Sequence, residues 1–106
     1  MASVYRRSAA RRDLIAHYVF LHDEAGEATA DRFLVNAETS FTDLARQPKM
    51  GAPITLKHPD LAVMRKWQVR HFDNHLIFYL PRPDGVSIVR VLHSASNWWQ
   101  LLGVKN

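Results

Sequence analysis

Four side chains in the second half of the chain have the chemistry to act on a phosphate: Arg65, Lys66, Arg90 and His93. Guanidinium and ammonium groups stabilise developing negative charge, and an imidazole gives or takes a proton near neutral pH. To work together they must converge, and strand geometry argues against that. Successive side chains of a strand point to opposite faces, so Arg65 lies with Trp67 and Val69 while Lys66 points away, and Arg90 and His93 likewise differ in parity. Each also has a structural explanation. Arg90 sits in an apolar run and is expected in a buried hydrogen-bonded pair; His93, at a strand end, is expected to pack and to donate to backbone. The six histidines, His17, His22, His58, His71, His75 and His93, show no metal-ligand spacing, and His17 and His22 do not share a helix face, so no metal or other cofactor is expected. With no cysteine in the chain there is no thiolate nucleophile, thiolate metal site or disulfide.

Two other groups could serve as contact surfaces. Trp98 and Trp99 could stack on bases, although in a short terminal helix one tryptophan more often lids the core. Arg6, Arg7, Arg11 and Arg12 cluster ahead of an acidic stretch. From position 13 to position 43 there are seven acids against the single base Arg32, a net of −6, and the rest of the chain carries +10, which together give the formal +4. The asymmetry implies two differently charged surfaces, either plain solvated charge or a basic face for an acidic partner or phosphate.

The elements that must position these residues change character midway. Residues 3–7 form a short β-type run. A helical pattern then begins at Ala9, with Leu14, Ile15, Tyr18, Val19 and Leu21 as a wide apolar stripe. Gly26 interrupts it. A second pattern runs through Ala30, Phe33, Ala37, Phe41 and Leu44 and stops at Gln47 before Pro48, a helix of roughly 20 residues and about 30 Å that pairs with the first as an antiparallel hairpin. Residues 48–60, with three prolines and a glycine, read as an extended surface connection. After it come three strands, opened by Met64 and Arg65 and joined at Asp73-Asn74 and Pro83-Asp84-Gly85, whose residues tolerate tight turns. Asn97 and Gln100 resemble a capping pair for a last short helix that Gly103 ends.

The middle and last strands are apolar at consecutive positions, Leu76 to Leu80 and Ile88 to Leu92, so both faces of the sheet require cover. The helical hairpin covers one. For the other, either the sheet curls on itself or a partner chain lies across it. At 106 residues, 47% hydrophobic and 23% charged, the chain suits a single α+β domain, residues 1–106. No apolar run approaches the roughly 20 residues of a membrane span and the arginine-rich start does not read as a signal peptide, so a bacterial cytoplasmic location is expected.

This order of strand, helical hairpin, three-strand antiparallel meander and short C-terminal helix resembles the ParE/RelE toxin superfamily. The likeness is carried by Ser8-Ala9 and Asp13-Leu14, by Leu44 with Pro48 and Gly51, by Met64-Arg65, by Leu76-Ile77-Phe78-Tyr79, and above all by Ile88-Val89-Arg90-Val91-Leu92-His93. That last run following a Phe-Tyr strand resembles the ParE-type, or plasmid-stabilisation, branch. Such proteins commonly continue with a small residue or two and then Arg-Asp, whereas this chain has Ser94-Ala95-Ser96-Asn97. The resemblance implies a toxin of a type II toxin–antitoxin system, bound and neutralised by a small DNA-binding antitoxin with an acidic or amphipathic tail. ParE-type members poison DNA gyrase; RelE-type members cut messenger RNA on the ribosome, and for that Arg65, Arg90 and His93 would be the catalytic set. A third possibility, motivated by the absent Arg-Asp, is a toxin that has lost activity and survives as an antitoxin-binding co-repressor. Antitoxin or target contacts are expected at Arg6, Arg11, Arg12, Arg65, Ile77, Tyr79, Arg90, Trp98 and Trp99.

Overall fold

A computed structural model describes residues 2–55 and 63–103. The elements, in chain order, are β1 (Ser3–Arg6), α1 (Ser8–Ala25), α2 (Glu27–Arg46), β2 (Ala52–Pro53), β3 (Arg65–Val69), β4 (Phe72–Arg82), β5 (Gly85–His93) and α3 (Trp98–Leu102). The five strands make one sheet in the order β1-β5-β4-β3-β2, all antiparallel except the β1/β5 pair. Among the described residues no helix is long and apolar enough to cross a membrane.

The helical hairpin forms as the spacing dictates, with Gly26 alone between the two helices at φ +93°, a conformation that a residue with a Cβ adopts only under strain. From α2, Phe33, Ala37, Phe41 and Leu44 are fully buried against Ile77, Tyr79, Val86, Ile88 and Val91 of the sheet. The wide stripe expected on α1 narrows, however. Ala10 and Leu14 are buried, but Ile15 and Val19 face solvent. The reason is position: α1 lies over the β5 side of the sheet and against α2, and that seat needs only a narrow apolar face.

The second sheet face neither curls on itself nor stands open. Leu76, Phe78, Val89 and Leu92 form a second core with Met64, and Ile54, Leu80, Trp98 and Leu102 pack on it. The consecutive apolar residues therefore serve two cores, alternate side chains going to each. A register shift opposite Phe78 and Tyr79, where β5 supplies an extra residue, lets Ile88 and Val91 both reach the helical side while Val89 turns to the other.

Two turns differ from expectation. Asp73 and Asn74 lie within β4, and the chain reverses instead at Arg70 and His71, between paired Val69 and Phe72. His71 takes the left-handed conformation at φ +63°, and the Ser40 hydroxyl of α2 accepts the Arg70 N–H at 2.9 Å, so tertiary contact fixes a turn that its residue types do not announce. The turn at Pro83, Asp84 and Gly85 is as read. A Cβ on Gly85 would lie 1.8 Å from the Ser3 carbonyl oxygen, so only glycine lets β1 approach β5 there. The stretch after α2 also contains a strand, β2, that went unrecognised because it is two residues long; residues 56–62 of that expected connection, with His58, lie outside the described residues.

Tyr79 anchors this stretch from below. Its hydroxyl donates to the Pro48 carbonyl at 2.7 Å and accepts the Gly51 N–H at 2.9 Å, and burial pushes its pKa up. Arg65 closes the same loop from above, donating to the carbonyls of Lys49 at 3.1 Å and Gly51 at 2.5 Å. Tyr79→Phe is expected to cost about 1–2 kcal/mol in urea denaturation, because it leaves a buried N–H and a carbonyl unpaired. Gly51→Ala is expected to cost more, since its Cβ would sit 2.6 Å from the Tyr79 hydroxyl and 2.7 Å from the immovable Lys66 carbonyl. Equal stability of the Phe variant and wild type would show the clamp to be incidental.

Candidate functional site

The basic residues singled out in the sequence are held apart, each by its own structural partner. Arg90 donates through Nε and Nη2 to the two carboxylate oxygens of Asp13 on α1, at 2.7 and 2.9 Å. That pair holds the guanidinium still more firmly protonated. Arg65 belongs to the loop clamp already described. Arg6 is paired with Glu38 and lies over the Phe41 ring, so it serves the β1/α2 contact. Lys66 sits over the Trp98 ring at 5.0 Å, on the face opposite the helical hairpin. Arg11 and Arg12 are exposed.

The Asp13 carboxylate has a third partner, the Val91 N–H at 3.0 Å, while His17 Nε2 donates to the Val91 carbonyl at 2.7 Å. The cause lies in strand length. β1 pairs with β5 only as far as Ile88, so the outward N–H and C=O of Val91 meet no strand. Asp13 and His17, one helical turn apart on α1, take its place.

A chain of histidines follows from that contact. The His17 ring meets the His75 ring edge-on at 4.9 Å, and His75 meets His93 at 5.1 Å, with Phe33 and Phe72 packed against His75. His93 Nδ1 accepts the Ala95 N–H at 3.0 Å, the reverse of the donation expected from sequence, so its proton is on Nε2. His75 is buried with Nδ1 unpartnered. Burial first, then His17 and His93, lower its pKa to about 4. Among the described residues no group of three histidines, cysteines or carboxylates is placed to hold a metal ion.

Ile77 and Tyr79 cannot meet a partner as expected: both are fully buried under the helical hairpin. The C-terminal tryptophans divide their work. Trp98 packs on Phe78 at 5.3 Å and lids the second core, whereas Trp99 remains 37% exposed beside the exposed Leu101. Asn97 occupies the cap position of α3, but its side chain makes no capping bond; its backbone carbonyl accepts from Gln100 and Leu101 instead. A groove of about 530 Å³ between α2 and β3 mixes Asp43 and Asp73 with Arg46 and Arg70, and so favours neither sign of charge.

A strand-edge, helix-hairpin and meander arrangement of this kind can be compared with known proteins. The family described as the ParE toxin of the type II toxin–antitoxin system parDE matches residues 4–98. The chain belongs to the ParE toxin family. A solved structure, the chromosomal ParDE toxin–antitoxin system from P. aeruginosa, superposes with a TM-score of 0.69 at 17% identity, covering 88% of this chain and 96% of that one. A search of curated protein sequences returns no match. The fold expected from the sequence is thereby shown, and with it membership of a toxin–antitoxin system and the existence of an antitoxin partner. What sequence reasoning missed is Asp13: it entered as part of a family pattern, and only the truncated reach of β1 discloses why a carboxylate belongs there.

Two measurements check this network. Asp13→Ala is expected to destabilise the fold by about 2–3 kcal/mol in urea denaturation, with Asp13→Asn intermediate, because Arg90 and the Val91 N–H lose their shared acceptor. A loss near zero would mark the pair as an ordinary surface contact. For His75 the sign follows from linkage. Its folded pKa of about 4 lies below the model value of 6.5, so the unfolded chain takes up the proton first and stability falls as pH drops from 6.5 towards 4. The slope contributed is at most about 1.4 kcal/mol per pH unit. Melting temperatures followed over that window should fall less steeply for His75→Phe than for wild type, and parallel curves would remove His75 from the account.

Proposed function

We propose that this ParE-family toxin acts by binding, inhibits DNA gyrase, and is neutralised by a cognate antitoxin. The observation that carries this reading is the engagement of every basic group that RNA cleavage would need. Cleavage without a metal requires a base for the 2′-hydroxyl, an acid for the leaving oxygen and free cations for the phosphate. Arg90 is bound at two nitrogens by Asp13, Arg65 is bound to two backbone carbonyls, and His93 Nδ1 is occupied by the Ala95 N–H. Family membership supports the same conclusion.

A binding toxin needs an exposed contact surface, and α3 offers one. Trp99 and Leu101 stand out from the end of the sheet, and tryptophan is the residue type most enriched at binding hot spots. The antitoxin contact cannot involve the two sheet faces, which the chain's own residues fill.

The test is a supercoiling assay with purified protein and gyrase, alongside mapping of messenger RNA ends in cells expressing it. Inhibition of supercoiling is expected, with Trp99→Ala reducing potency roughly tenfold as a hot-spot loss would. Intact supercoiling together with ribosome-dependent cuts in messenger RNA would sink the reading in favour of a RelE-type ribonuclease. Normal growth on induction, with neither effect, would do so in favour of an inactive co-repressor.

A further inference from the structure

The outward face of α1 is apolar where a solvated helix should be polar. Ile15 is 65% exposed, Val19 52% and Phe20 61%, three large apolar side chains on one exposed helix surface. Arg12 precedes them and Asp23, its side chain 72% exposed, follows. Neither the sheet nor α2 uses this face, since α1 turns Ala10, Leu14 and His17 inward. It is independent of the toxin's target.

The order of residues on this face is self-complementary. At about 100° per residue, Arg12, Val19, Asp23 and Ala16 run along the centre of the outward face, with Ile15 and Phe20 on opposite flanks. Set a second α1 antiparallel to the first, on a two-fold axis through the middle of that face. Arg12 then meets Asp23 of the other copy, Ile15 meets Phe20, and the small Ala16 meets Val19 where the helices approach closest. One step around, Arg11 meets Glu24. Every contact is of matched chemistry, and by symmetry each occurs twice. A parallel arrangement would instead set Arg12 against Arg12 and Asp23 against Asp23, like charges at both ends.

We infer that α1 is a homodimerisation surface, on which a second copy of this chain docks antiparallel through Ile15, Val19 and Phe20, with Arg12 and Asp23 fixing the register. The partner is a second copy rather than an unrelated helix because acid, apolar centre and base already occur in the order that a two-fold axis demands. The interface leaves α3, with Trp99 and Leu101, uncovered, so dimerisation and target binding through α3 are separable.

Sedimentation velocity of the full chain over a range of concentrations tests this. The expected result is a reversible equilibrium between one and two chain masses. Arg12→Glu and Asp23→Arg, made singly, should each weaken dimerisation about tenfold or more, since each sets like charges together twice. The double variant, which restores opposite charges across the axis, should recover it. Val19→Glu should abolish it, with circular dichroism and melting temperature unchanged to show that the fold persists. A monomer at every concentration overturns the inference, as does a dimer indifferent to the charge reversals. It is equally overturned if the chain is monomeric while Val19→Glu prevents capture by its antitoxin, which would give the face to that partner.

Discussion

The fold depends on how one short strand edge is closed. β5 is a central strand only where β1 runs beside it; past Ile88 its outer side would be an edge, with Val91 presenting an unpaired N–H and C=O inside the α1 interface. An unpaired buried backbone group costs about as much as a lost hydrogen bond, and two on one residue would unseat the helix above them. Asp13 and His17 remove that cost with side chains, one accepting and one donating, from positions one turn apart. Arg90 then balances the charge that Asp13 brings into the interface. Helix, strand and ion pair are a single device: the carboxylate is tolerable because it has three donors, and α1 is fixed in rotation because both its polar inward residues are committed to the same peptide unit.

That fixed rotation has consequences on both sides of the helix. Inward, it sets His17 against His75 and thereby begins the histidine chain that ends at His93. Three imidazoles in sequence stay neutral most easily when each nitrogen has an assigned role, and His17 and His93 do, by donating to Val91 and accepting from Ala95. His75, between them, has no partner at Nδ1 and carries the depressed pKa. Outward, the same rotation presents Ile15, Val19 and Phe20 to solvent. The hydrophobic stripe on α1 is broad because it has two halves, and one half alone belongs to the core.

Much of this was legible in residue spacing, and the omissions have physical reasons. The second helix, the Pro83-Asp84-Gly85 turn and the pairing of Arg90 follow from local pattern or from the cost of an unpaired charge. The turn at Arg70 and His71 does not, because a left-handed histidine held by Ser40 from another element carries no local signal, whereas Asp73 and Asn74 carry a turn signal and lie in a strand. The parallel pairing of β1 with β5 joins the two ends of the sequence and leaves no periodicity to read. The uninterrupted apolar runs correctly showed that both sheet faces are covered. They could not show by what, and Ile77 and Tyr79 were assigned to a partner surface when the chain's own helices bury them; the opposite face is closed by Trp98, Leu102, Ile54 and Met64.

The same constraint bears on what this fold can do chemically. A guanidinium serves phosphate only while its donors are free, and here two of those on Arg90 hold a carboxylate that itself holds a strand edge. Releasing Arg90 to a substrate would leave Asp13 charged at 13% exposure with the Val91 N–H as its remaining partner, a loss the helix seat could not absorb cheaply. Arg65 is tied in a comparable way, since withdrawing it would leave the carbonyls of Lys49 and Gly51 to solvent and put the whole loop on Tyr79. Cationic residues near a sheet are therefore no sign of catalysis by themselves. Their chemistry is decided by whether the fold has already used their donors, and in this chain it has.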